Sequence, residues 1–140
     1  MFFKKMSVLF VLALALGLAG AASAASTQNH ASVVIRHQMR GCHTWSVNGG
    51  PFKASQSITL RRGASLTVTD NDIMSHRLVL TSGPALRITN ATLKHMGATL
   101  SVTLTRPGIY HFTTKPGEDY MAGMKTIGED NVLRLTVVVS

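Results

Sequence analysis

The chain has 140 residues and a formal net charge of +8, from 14 lysines and arginines against six aspartates and glutamates. This length suits one domain with one modest core, and a single cysteine excludes an internal disulfide framework. The cations are scattered and no aromatic residues alternate with them. The sequence therefore lacks the basic stripe and the stacking side chains of a nucleic-acid-binding protein.

The first predicted element is a targeting segment over residues 1–25. Lys4 and Lys5 give it a positive start, an apolar run follows from Ser7 to Leu18, and small residues at 22–24 are typical of a cleavage site. The apolar run is short for a membrane span, and no later run is long enough to be one. We expect a cleaved signal peptide, a mature domain over residues 26–140 with no membrane span, and a periplasmic or secreted location. A retained membrane anchor is the alternative.

Strands are predicted along the rest of the chain, because apolar residues alternate with polar ones at a period of two. Gly, Pro and Asn-Asp signals separate these runs and predict turns. The pattern indicates an all-β fold, a sandwich of about seven or eight strands. The runs are Val33–Ile35, Ile58–Leu60, Leu66–Val68, Leu78–Leu80, Leu86–Ile88, Leu100–Leu104, Tyr110–Phe112 and Leu133–Val139.

Four stretches in this order resemble a cupredoxin, the small Greek-key copper-binding sandwich. They are ITLRRGASLTVTDND, then DNDIMSHRLVL with His76, then LSVTLTRPGIYHF, and lastly a loop with Met124 that precedes the strand VLRLTVVV. The resemblance covers Ser32 to Ser140. It implies a cupredoxin-like fold, a copper ion, and roles for His76 as the first ligand and Met124 as the thioether ligand.

The sequence departs from the family pattern in the loop that follows Tyr110. The family has a cysteine and then a histidine before the methionine, whereas this chain has Thr114 at the cysteine position and Asp119 at the histidine position. Counting from the Pro-Gly turn instead puts Glu118 at the histidine position. Only His76 and Met124 carry over, so the resemblance does not imply a standard blue copper site.

Other candidate ligands lie between the first two predicted strands. The first strand should run toward the metal end and the second away from it, which places Cys42 and His43 at the same end as His76. Copper, as Cu(I) or Cu(II), is bound by thiolate, thioether and imidazole groups. Adjacent side chains on a strand point to opposite faces, so Cys42 and His43 could share one ion only on irregular backbone, which Gly41 permits.

The predicted metal ligands are therefore Cys42, His43, His76 and Met124, with Met121 as a replacement or an additional thioether. The alternatives remain open. Cys42 could be a buried apolar residue or form an intermolecular disulfide, His43 could be a surface imidazole, His76 could bond to backbone at a turn, and Met124 could pack under the loop. Zinc is chemically allowed at these positions, but the methionines favour copper.

We expect an exported copper-binding protein that acts in electron transfer or copper handling and is not an enzyme. The chain contains no nucleophile-elbow motif that would indicate a hydrolase. Its positive charge suits an acidic redox or copper-trafficking partner. The alternative is a metal-free binding module on the same sandwich that docks an acidic partner.

Overall fold

The computed structural model of the chain describes residues 27–37, 43–116 and 133–140. The predicted signal segment lies outside these residues. The described chain is all-β, as the alternation predicted, and it contains eight strands. They are β1 (Gln28–His37), β2 (His43–Val47), β3 (Ser55–Asn71), β4 (His76–Ser82), β5 (Thr92–Leu93), β6 (Thr99–Leu104), β7 (Gly108–Pro116) and β8 (Arg134–Val139). In these ranges no helix is long and apolar enough to cross a membrane.

The long strand β3 belongs to both layers of the sandwich. Its first part, Ser55–Leu60, pairs in parallel with β8, and its second part, Ala64–Asn71, pairs in parallel with β1 and antiparallel with β6. Layer one has the order β2-β1-β3-β6, and layer two has the order β3-β8-β7-β4-β5. The chain changes layer at Arg61–Gly63, where Gly63 has a φ of +83°. Glycine adopts this left-handed conformation without a steric penalty.

The core lies between the two layers, because alternate residues on each strand point inward. Its largest side chains, including Trp45, Tyr110 and Phe112, are fully buried. The Tyr110 hydroxyl donates to the Arg106 carbonyl at 2.7 Å, and the Trp45 indole N–H donates to the Ala54 carbonyl at 3.1 Å. Burial of each aromatic ring contributes about 1.5–3 kcal/mol to the free energy of folding through the hydrophobic effect. The two hydrogen bonds remove the penalty for burying the hydroxyl and the indole N–H.

The pairing registers define the two ends of the sandwich. At one end, the last residue of β7, Pro116, lies opposite His76, and β3 ends nearby at Asn71. At the other end, Gly108 at the start of β7 lies opposite Val139, which also pairs with Leu60. We call the first the histidine end and the second the turn end. The two parts of β3 run in opposite directions, away from the histidine end and then back toward it.

Two local features differ from the sequence prediction. The segment placed between the first two strands contains a strand of its own, β2, whose Trp45 packs inward. The alternating run Leu86–Ile88 packs half-buried against the core but forms no strand. In both cases, contacts with the rest of the fold, and not the local alternation of apolar residues, determine whether a strand forms.

Candidate metal centre

The histidine end gathers the strand termini that flank the predicted ligand segments. His37, the last residue of β1, lies opposite His43, the first residue of β2. Arg36 pairs with Asn71 at the end of β3, and His76 begins β4 opposite Pro116. The segments 38–42 and 117–132 therefore both leave the described fold at the end that contains His76.

His76 is completely buried and is held by a carboxylate. Its Nε2 lies 3.1 Å from Oδ2 of Asp72, and both side chains have no exposed area. A carboxylate oxygen only accepts hydrogen bonds, so Nε2 carries the proton and donates it to Asp72. In the neutral imidazole this tautomer leaves the lone pair on Nδ1. Metal-binding histidines are commonly oriented by such a carboxylate.

Two successive side-chain turns build the connection that delivers His76. Asp70 Oδ1 accepts from the backbone N–H of Asp72 at 2.9 Å, and Asp72 Oδ1 accepts from that of Met74 at 3.2 Å. Aspartate favours turns because its side chain bonds to backbone N–H groups two residues ahead. The backbone of Asp70 is fixed in turn by Ala98, whose carbonyl accepts its N–H at 2.9 Å. The orientation of His76 therefore depends on both aspartates.

Asp70 is itself a buried carboxyl group on the inward face of β3. Burial raises the pKa of Asp70 from 3.8 to about 6, and repulsion by Asp72 adds to this shift, while the N–H of Asp72 and the charge of His95 oppose it. Among the described residues, Oδ2 of Asp70 is buried without a hydrogen-bond partner. The ionised form of Asp70 is therefore unfavourable in the folded protein.

An exposed histidine approaches the same carboxylate from β1. His37 Nδ1 lies 4.0 Å from Asp72 Oδ1, and 48% of the His37 side chain is exposed. Asp72 thus lies between a solvent-facing imidazole and a buried one. The distance to His37 is too long for a hydrogen bond, so His76 is the partner that Asp72 orients.

The structure describes only part of the predicted ligand set. Cys42, Met121 and Met124 lie outside the described residues, as do Glu118 and Asp119. His43 is described in its backbone alone. Thr114, which stands at the family's cysteine position, is a buried residue of β7. Within residues 27–37, 43–116 and 133–140 there is no group of three or more histidine, cysteine, aspartate or glutamate side chains that could hold a metal ion.

Sequence reasoning missed the two aspartates that support His76. The signal was present in the stretch DNDIMSH, because Asp72 precedes His76 by four residues and Asp70 precedes Asp72 by two. The stretch was interpreted only as a turn before a ligand. Aspartates in turns are usually solvated, so nothing in the local sequence predicted that both would be buried.

No family model matches the sequence, and no curated protein matches it. Solved structures do match the fold. A multicopper oxidase variant from Aquifex aeolicus aligns with a TM-score of 0.51 and 14% identity, over 83% of this chain and 27% of that one. A purple cupredoxin from Nitrosopumilus maritimus gives 0.47 and 14%, over 78% and 98%. A copper-containing nitrite reductase from Thermus scotoductus gives 0.49 and 18%, over 81% and 28%.

These likenesses concern the fold, since all three identities are below 20%. The chain corresponds in length to about a quarter of the oxidase and to nearly all of the small cupredoxin. The cupredoxin-like fold that the four motifs implied is therefore confirmed.

Proposed function

We propose that this cupredoxin-like chain is a copper-binding protein that acts in electron transfer or copper handling. The observation that carries the proposal is the His76–Asp72 pair. A buried imidazole, oriented by a buried carboxylate, lies at the end of the sandwich where both segments with the predicted sulfur ligands begin. Burying such a pair costs free energy unless its hydrogen bonds are fully satisfied. Its presence here therefore supports a functional role for His76.

The donor set suits copper. His76 offers an imidazole nitrogen, and we propose that Cys42 and Met124 supply a thiolate and a thioether, with His43 or Met121 completing the set. Thiolate and imidazole suit both metals, but a thioether in the same set favours copper over zinc. A copper ion bound there would supply one-electron chemistry or a transportable Cu(I). Asp72 would keep the imidazole of His76 in one tautomer and one orientation.

The visible spectrum of the protein with Cu(II) tests the proposal and separates the two roles. An intense thiolate-to-copper band that disappears in Cys42→Ala would support electron transfer. A tight Cu(I) complex without that band would support copper handling. Replacing the exposed His95 by Ala is the matched control for His76→Ala, and it should leave copper binding unchanged. A protein that retains no copper would contradict both roles.

We also propose that the protein is exported and is not an enzyme. The composition of residues 1–25 supports export, because it combines a positive start, an apolar run and a small-residue cleavage signal. Mass spectrometry of the protein recovered from the periplasm or medium would test this. A mature N-terminus near Ala24 or Ala25 is expected. An intact N-terminus on a membrane-bound chain would contradict it.

A metal-free module that docks an acidic partner is the second candidate function. It is favoured by the charge of the described surface, on which every exposed ionisable side chain other than histidine is a cation. A ligand that binds only the native state raises the melting temperature. The metal-free function therefore predicts a melting temperature that copper does not change. A clear copper-dependent rise would contradict it and support the first candidate.

A further inference from the structure

Every lysine, arginine, aspartate or glutamate side chain that is exposed among the described residues is a lysine or an arginine. Asp70 and Asp72 are both buried, and the other four acidic residues of the chain lie in the segment 117–132, outside the described residues. Such a surface attracts anionic partners and repels other copies of itself. The exposed cations are Arg36, Lys53, Arg61, Arg62, Arg77, Arg87, Lys94, Arg106 and Arg134.

A groove with a volume of about 570 Å³ lies on the outer face of layer two. Its lining comes from β4, β7 and β8 and consists of Thr81, Ser82, His111, Phe112, Thr113, Arg134, Leu135 and Thr136. The pairing of β4 with β7 shifts between Leu80 and Ser82, which leaves Thr81 as an extra residue at the edge of the groove. Four of the lining residues, Thr81, Ser82, Thr113 and Thr136, carry short hydroxyl side chains, and His111 and Arg134 carry longer polar ones.

The polar groups of this face follow the strand register. His111 lies opposite Thr136 on β8, and its Nδ1 is 3.3 Å from the Thr136 hydroxyl. Arg134 precedes Thr136 by two residues, so it projects from the same face about 7 Å away. Arg77 is also exposed on β4, opposite Lys115. Within the part of the chain that the structure describes, neither guanidinium makes a hydrogen bond or an ion pair.

We propose that this guanidinium face, made of Arg77, His111, Arg134 and the groove threonines, docks an acidic segment of a partner protein. His111, Arg134 and Arg77 lie on successive rows of the sheet, each about 7 Å from the next. That spacing suits several single carboxylates along a chain better than one dense phosphate. Hydroxyls between the cations can donate to the same carboxylates.

The face does not suit nucleic acid. Single-stranded nucleic acid binds through aromatic side chains on which bases stack. The aromatic rings of β7, Tyr110 and Phe112, are buried in the core at 1% and 2% exposure. Phe112 belongs to the groove lining, but its side chain is only 2% exposed, so the groove offers no ring on which a base could stack. This inference rests on the acidic partner proposed above but does not require copper.

The test measures binding of a fluorescein-labelled ten-residue polyglutamate peptide to the copper-free protein by fluorescence anisotropy. The double variant Arg77→Glu/Arg134→Glu should bind at least about tenfold more weakly, because an attraction becomes a repulsion at two positions. The matched control, Arg61→Glu/Arg106→Glu, has the same net charge but changes the turn end. Its affinity for the peptide should fall by less than about threefold. Binding should also weaken as salt rises from about 20 to about 300 mM.

Three results would overturn the proposal. They are no binding by the unaltered protein at low salt, an equal loss in both double variants, and equally tight binding of a single-stranded DNA of the same charge. Circular dichroism and melting temperature would show that each variant is folded. Copper titration of the same samples separates this proposal from the metal centre, since loss of peptide binding with intact copper binding would leave the copper function standing.

Discussion

The turn end of the sandwich is closed by backbone packing, whereas the histidine end is closed by buried ionisable side chains. At the turn end, a Cβ placed on Gly83 would lie 2.6 Å from the Ile109 carbonyl oxygen and 2.9 Å from the Tyr110 Cα. At the histidine end, Asp70, Asp72 and His76 are all buried. The close packing at the turn end stabilises the fold. The buried ionisable side chains at the histidine end add little to the free energy of folding.

This contrast indicates that the two ends of the sandwich serve different purposes, one stability and the other the positioning of a side chain. Buried carboxyl groups destabilise a folded protein unless they are neutralised or well paired. Among the described residues, the same chain closes its turn end by backbone packing without a buried carboxyl group, so the fold does not require charge burial in general. The aspartates of the histidine end are therefore best explained by what they position, which is His76.

The largest effect is expected at the turn end, from Gly83→Ala. Gly83 has a φ of +127°, and its added methyl group would overlap the backbone of β7. We expect a loss of about 3 kcal/mol or more in the free energy of unfolding, measured by urea denaturation. Gly63→Ala is the control, because that site has a φ of +83° with nothing within 4 Å. It should lose only about 1–2 kcal/mol from backbone strain. Equal losses would mean that the close approach is unimportant.

The next largest effect is a pH-dependent gain in stability from Asp70→Asn. The pKa of Asp70 is about 6 in the folded protein and 3.8 as the ordinary value, so the folded state binds the proton more tightly. Stability from this group is therefore present below about pH 4 and is lost as the pH rises through about 6. The asparagine variant should exceed the unaltered protein by about 1–3 kcal/mol at pH 7.5, and by much less at pH 4. A difference that does not change with pH would contradict this account.

A smaller effect, on the proposed metal centre, is expected from Asp72→Asn. Asparagine can still accept the Met74 N–H but carries no charge to hold the Nε2 proton of His76. Copper affinity should fall by about ten- to a hundredfold. In the apo protein, ¹⁵N NMR shifts of His76 should change from one tautomer to a mixture. Asp70→Asn should leave both readouts nearly unchanged, because it retains the Asp72–His76 bond. Unaltered affinity and tautomer in Asp72→Asn would show that the carboxylate is not a positioning group.

The sequence predicted the fold better than the surroundings of the site. Alternation on strands such as β6 and β8 was sufficient to identify them, because one face is buried along the whole strand. His76 was found through its motif. Its support by Asp72 could not be predicted, because burial of an aspartate depends on contacts with distant parts of the chain, such as the Ala98 carbonyl that accepts the Asp70 N–H. The roles of Cys42, Met121 and Met124 remain predictions.

The smallest effect is expected from His37→Ala, and it sharpens the boundary of the centre. His37 is half exposed, and its Nδ1 lies 4.0 Å from Oδ1 of the buried Asp72, which is beyond hydrogen-bond distance. We therefore expect this contact to contribute no more than about 1 kcal/mol. We expect a fall in melting temperature of no more than a few degrees and a change in copper affinity below about twofold. A tenfold loss of affinity would instead make His37 part of the centre. Asp72 would then position two functional imidazoles, and the solvent-exposed His37 on β1 would belong to the metal centre.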